Sequence, residues 1–190
     1  MKKFIYVLSF IFFLMLGCAM PQAHADFAER PVGFVVLDYG NNVDTAFYKD
    51  MYDPVKWAYH IPNYRVIEDD NLINDTKEAM TGRKVKVTPE LMKALAEKHK
   101  MDVLVVAKIY DVSEILAPLI FSNYDADNYI RVTCAADLYC YRLDSNKLLV
   151  KRLRDSFIAD GPYYEKPRQT VKWQLSKLVN TMEGRPIIGE

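Results

Sequence analysis

Few stretches of this chain carry residue types and spacings that could do chemistry. Asp38-Tyr39-Gly40-Asn41-Asn42 lies between an apolar run and the start of a helix-type pattern. Backbone N–H groups at such a strand-to-helix turn can hold an anion. Asp38, Gly40, Asn41 and Asn42 are therefore a candidate ligand loop, although one glycine also suits a plain turn. Asp125-x-Asp127 opens like a calcium loop, but glycine is missing at the sixth position and Ala136 stands where the bidentate glutamate belongs. A solvated loop is the expectation there. His60 and His99 have no partner nearby in sequence and are expected on the surface at helix ends. The chain has no G-x-S-x-G, H-E-x-x-H or C-x-x-C. No catalytic, cofactor-binding or metal-ligating residue is nominated, no cofactor is expected, and the chain does not read as an enzyme. A hydrolase ranks last among the functions considered, for want of any triad-like pattern.

Tyrosine is the unusual component, with 13 copies. Tyr48, Tyr52 and Tyr59 fall in one helical stretch, and Tyr139, Tyr141, Tyr163 and Tyr164 fall in and after a strand hairpin. Tyrosine joins apolar area to a polar handle, which suits contact surfaces. Cys134, Ala136, Leu138 and Val132 already supply a core face to their strand. Tyr139 and Tyr141 are therefore expected on its outer face, open to a partner. That face, with the loop over 117–128, is the candidate interaction surface. Long strands with unpaired edges add strand-to-strand association as a route to an oligomer.

The N-terminus carries an address. Lys2 and Lys3 precede an uncharged apolar run over 4–16, the length of a signal-peptide core and too short for a comfortable membrane span. Two cuts compete. Ala23-His24-Ala25 is a small-x-small site for release after Ala25, and Gly17-Cys18 offers a lipoprotein site in which Cys18 would be acylated. Release is the leading reading because Met15 and Leu16 make a degenerate lipobox. Both place the domain outside the cytoplasmic membrane, in a periplasm-like space; only acylation ties it to a membrane. Removing residues 1–25 takes away two lysines and no acid, leaving a small negative net charge on a single domain over 26–190. Nothing basic enough for a nucleic-acid partner remains.

Two cysteines stay in that domain. Six positions apart on one strand, Cys134 and Cys140 stand about 20 Å apart at ~3.3 Å per residue, too far for a disulfide. They are expected as free core residues on one face.

The elements that would position these residues follow from periodicity and caps. Residues 32–37 and 103–107 are β-branched apolar runs of the kind buried on both faces. Asp44 can cap a helix to about residue 59, with Phe47, Met51, Val55 and Ala58 on its apolar face and Pro54 expected to kink or split it. A strand over 64–68 precedes a short helix capped by Asp69 or Asp70. Thr88-Pro89-Glu90 starts another helix. Beyond residue 107 the third strand alternates, with Ile109, Asp111 and Ser113 expected on one face. Strands over 129–143 and 148–158 flank the turn 144–147. An amphipathic helix over 169–182 closes the domain, with Trp173 at its edge. The fold class is α/β: a single mixed sheet of about five strands with a long C-terminal hairpin, helices packed on it, and a core over about 31–182.

Several stretches carry a likeness. VGFVVLDYGNN, NYRVIEDDNL, LAEKHKMDVLVVAKI and the hairpin CAADLYCYRLDSNKLLVKRLRDSF resemble, in order and character, the α/β domain of the curli secretion lipoprotein family CsgG, the N-terminal domain of TolB, and lipoprotein activators of penicillin-binding proteins. Lys108 departs from that pattern, standing where glycine is common. The resemblance implies envelope assembly or protein docking and contributes no active-site residues. The expected function is a non-catalytic extracytoplasmic interaction domain whose partner is an envelope protein or a second copy. A small-ligand or anion module at residues 38–42 is the alternative. Intact mass of the exported chain checks the address: an N-terminus at Asp26 marks release, and an acyl-modified Cys18 marks anchoring.

Overall fold

The structure, a computed structural model, describes residues 29–81, 85–117, 129–160 and 163–186. The leader, Cys18 and the Asp125–Asp127 stretch lie outside the described residues. The elements run β1 (Arg30–Asp38), α1 (Thr45–Ala58), β2 (Tyr64–Ile67), α2 (Asp70–Ala79), α3 (Pro89–Lys98), β3 (Val103–Ala117), β4 (Tyr129–Arg142), β5 (Lys147–Asp160) and α4 (Pro167–Met182). The sheet order is β2-β1-β3-β4-β5. β1 runs parallel to β2 and β3, while β4 is antiparallel to β3 and β5. The mixed five-stranded α/β sheet with its long hairpin matches the sequence expectation.

Parallel pairing needs crossovers, and these cover the sheet on both sides. Residues of α1 and α4, including Phe47, Met51, Val171 and Leu175, form one core with Val32, Phe34, Val103 and Val105. Residues of α2 and α3, including Leu72, Met92 and Leu95, form a second core with Val35, Leu37, Leu104 and Val106. Val103 to Ala107 are all fully buried. Each of the valine and leucine side chains among them contributes about 1.5–3 kcal/mol on burial.

The helix starts form as their sequences dictate. Asp44 accepts the N–H of Phe47 at 2.7 Å, Asp69 that of Asn71 at 3.0 Å, and Thr88 that of Leu91 at 3.3 Å. Pro54 does not divide α1, which runs unbroken from Thr45 to Ala58. The missing N–H costs one intrahelical bond, but the fully buried stripe Phe47, Met51 and Val55, with Ala58 beyond it, holds the helix down on either side of the proline.

Three expectations are corrected. β3 shifts register against β4 between Ile109 and Asp111, because Tyr110 is an extra residue in β3. This bulge resets the alternation, so Ile109 and Val112 face the same core and Asp111 no longer shares a face with Ile109. The strand continues to Ala117. His99 stands at the end of α3 as expected but is half-buried rather than open: its side chain is 8% exposed, with Nε2 2.7 Å from Asp75 Oδ2. Lys98 Nζ reaches the same carboxylate at 2.6 Å, so this pair of side chains staples α3 to α2. The cysteines, by contrast, are buried and free as expected, on one core face. Replacing Leu104 by Ala should lower the unfolding free energy by about 2–5 kcal/mol, measured by urea denaturation, because the cavity would open between two covered layers and neither could collapse into it.

Candidate functional site

The hairpin tyrosines do not form an outer face. Tyr139 and Tyr141 are 3% and 0% exposed and pack in the second core with Met92, Leu95 and Ala96. The physical reason is that β4 is covered on both faces, with α4 on one side and α3 on the other, so alternation along it separates two cores rather than core from solvent. The Tyr141 hydroxyl donates to Asn146 Oδ1 at 2.9 Å, bracing the hairpin turn. Tyr163 is 97% exposed. Tyr164 donates to Glu114 Oε2 at 2.6 Å. These two do not join Tyr139 and Tyr141 in one surface.

The loop over 38–42 is likewise closed. The Asp38 carboxylate accepts the N–H groups of Gly40, Asn42 and Val43 at 3.0, 3.2 and 3.0 Å. The donors that would hold an anion are filled by one the chain supplies. Asn41 takes φ +54° to make the turn. A Cβ on Gly40 would stand 2.5 Å from the Tyr110 carbonyl oxygen, so the loop lies directly against the β3 bulge. Asn41 and Asn42 therefore shape a turn; the expected open ligand loop is not what forms.

Next to this turn is a polar cluster that sequence reasoning missed. Lys108 is fully buried, and its Nζ donates to the Met80 carbonyl at 3.2 Å. The ammonium lies 5.4 Å from the Tyr39 ring centroid and 5.9 Å from that of Tyr110. Tyr39 donates its hydroxyl to the same Met80 carbonyl at 2.8 Å. Met80 closes α2, where the last carbonyls carry partial negative charge, a favourable place for a cation. Tyr110 donates to Asp137 Oδ2 at 2.9 Å, and Arg154 Nη2 to Asp137 Oδ1 at 2.7 Å. Burial lowers the Lys108 pKa below its ordinary value, with Asp137 opposing. A buried lysine of lowered pKa beside tyrosines can serve as a base or nucleophile, but this one is sealed from solvent and engaged by aromatic faces and a helix end. Its work is to bind the ends of β1 and β3 to α2. Of these residues only Lys108 stood out in the sequence, as a charge inside an apolar run.

An open aromatic feature lies beside α1 and α4. α1 and α4 pack side by side, clamped by Asp44–Arg168 at 2.8 Å and Asp50–Lys172 at 3.0 Å. Between them lies a groove of about 380 Å³ whose lining includes Asp53, Trp57, Gln169, Trp173 and Asn180. A second hollow of about 390 Å³ continues it past Trp57 and Trp173 to Lys177, Arg185 and Pro186. Trp57 is 81% exposed and Trp173 41%; these are the two tryptophans of the chain. Lys177 Nζ lies 5.3 Å from the Trp173 ring centroid. The sequence placed Trp173 at a helix edge. Trp57 was legible only as the aromatic that falls off the stripe Phe47, Met51, Val55 and Ala58. Among the described residues no three His, Cys, Asp or Glu side chains gather as a metal site would require, and no helix is long and apolar enough to cross a membrane.

The arrangement defines a two-sided α/β domain with one aromatic groove. No protein-family model matches the chain, and no curated protein does. Solved structures similar to it include the PelC dodecamer from Paraburkholderia phytofirmans, at 7% identity and a TM-score of 0.40 over 83% of this chain and 90% of that one. Lipoprotein GNA1162 from Neisseria meningitidis is similar at 14% identity and a TM-score of 0.36, over 82% and 99% of the two chains. The hypothetical protein CT253 from Chlamydia trachomatis is similar at 12% identity and a TM-score of 0.38, over 82% and 97%. At this level of likeness nothing about activity or partners carries over.

The buried phenols make a pH prediction. Burial, foremost, raises the Tyr139 pKa to about 12, and burial also raises that of Tyr110. The folded state keeps these protons after the unfolded chain, at about 10, has lost them. Their stabilisation is therefore complete below about pH 10 and is lost as pH climbs toward the folded value. Tyr139→Phe should flatten the fall in stability between about pH 10 and 12, read by urea midpoints, while phenolate absorbance in the native protein should lose its late step.

Proposed function

We propose that this chain is a non-catalytic docking domain of the bacterial cell envelope, working outside the cytoplasmic membrane, and that the groove between α1 and α4 is its contact surface. The observation that carries the reading is that both tryptophans stand open on that one groove. Large aromatics left in water are costly and mark contact sites more often than chance. Three further features support it. The leader-type N-terminus addresses the chain for export. Lys108 and Asp137, by contrast, are buried and engaged in hydrogen bonds within the fold. Lys56 edges the same face beside Trp57 and Asp53, with Lys177 and Arg185 at its far end, so cations outnumber acids around the rim.

The partner this surface suits is a protein segment presenting apolar or aromatic side chains flanked by acids, in a helix-in-groove or extended mode. The anion-binding alternative at residues 38–42 loses its donors to Asp38 and is not carried forward. The test is site-specific photo-crosslinking in the envelope from position 57 or 173, followed by Trp57→Ser and Trp173→Ser. Crosslinked product should form at both positions, and the substitutions should weaken capture of the same partner by about tenfold or more. Trp57→Ser should change stability by no more than about 0.5 kcal/mol, since its ring is in water. Undiminished capture by the double variant would remove the groove as the contact.

A further inference from the structure

Among the described residues β5 is the long open edge of the sheet. It pairs with β4 on one side and is last in the strand order. It has 14 residues, against four in β2 at the opposite edge. On it Val150, Phe157 and Ile158 are 42%, 44% and 55% exposed. An edge of this length and character recruits another strand. We propose that β5 pairs antiparallel with β5 of a second copy of this chain, in the register centred on Leu153, so that the two sheets become one.

The register follows from parity and charge. Neighbouring residues of a strand point to opposite faces, so a two-fold axis normal to the sheet pairs odd with odd and even with even. Odd residues of β5 lie opposite Cys134, Ala136, Leu138 and Cys140, on the α1–α4 side; even residues lie opposite Tyr139 and Tyr141. Centring on Leu153 sets Lys151 against Asp155, Leu149 against Phe157, and Leu148 against Ile158, each pair occurring twice by symmetry. Opposite charges and apolar side chains directly across strands are the pairs that stabilise sheets. Among the described residues neither Lys151 nor Asp155 has an ion-pair partner within the chain, so the pairing uses two charges the monomer leaves unmatched. The one unfavourable juxtaposition, Arg152 against Arg154, is softened because Arg154 is tied to Asp137 at 2.7 Å. Neighbouring registers are worse. Centring on Arg154 sets Lys151 against Phe157 and Leu153 against Asp155, and centring on Arg152 sets Leu149 against Asp155. Among the described residues none from β5 lines the tryptophan groove, although Lys177 at its far end also borders β5 at Leu149 to Lys151.

Sedimentation equilibrium of the chain, expressed in full and purified as the cell processes it, tests this. A concentration-dependent dimer is expected. Asp155→Lys and Lys151→Asp should each raise its dissociation constant by about tenfold or more, because both symmetric pairs turn repulsive. The double exchange Lys151→Asp with Asp155→Lys should return it to within about threefold of the parent. Both positions are exposed, and thermal melts confirm that each variant is folded. A chain that stays monomeric at every concentration overturns the proposal. So does a dimer indifferent to the single changes, or a double exchange no tighter than the singles.

Discussion

The structure depends on burying β1 and the first half of β3 on both faces at once. Parallel strands need crossovers, and the two here pass on opposite sides of the sheet: α1 carries the chain from β1 to β2 over one face, while α2 and α3 carry it from β2 to β3 over the other. Every residue from Val103 to Ala107 is therefore inside, and no position there can be polar without a partner. Lys108 comes immediately after, and its surroundings show what such a position requires. A carbonyl at a helix end and two aromatic faces receive its charge, and burial still depresses its pKa.

The same constraint spreads to the hairpin. β4 borrows cover from both layers, which is why Tyr139 and Tyr141 are internal and its two cysteines are buried on the other face. Away from these two layers the described residues leave apolar surface open at Trp57 and Trp173 beside α1 and α4, and at Ile115, Leu116, Val150, Phe157 and Ile158 on the outer parts of β3 and β5.

How much of this could be read beforehand varies with the range of the interaction. The two central strands, the Asp44, Asp69 and Thr88 caps and the hairpin turn are local, and their residues specify them within a few positions. The burial of Tyr139 is non-local. Alternation along β4 says that its faces differ, but nothing within reach of residue 139 says that α3 arrives over it from about forty positions earlier. The same holds for His99, whose partner Asp75 lies 24 residues back, and for the Tyr110 bulge, which appears only when β3 is set against β4. The ligand loop failed for a short-range reason. Asp38 was counted as part of a possible site when its carboxylate was already the occupant.

The contact between Gly40 and the Tyr110 carbonyl joins two irregularities that are seventy residues apart in the chain. The bulge has its place because nothing projects from the turn at position 40. A side chain there would displace the Tyr110 carbonyl as well as the neighbouring Asn42 amide, so a change in the loop would be felt in the middle of the sheet.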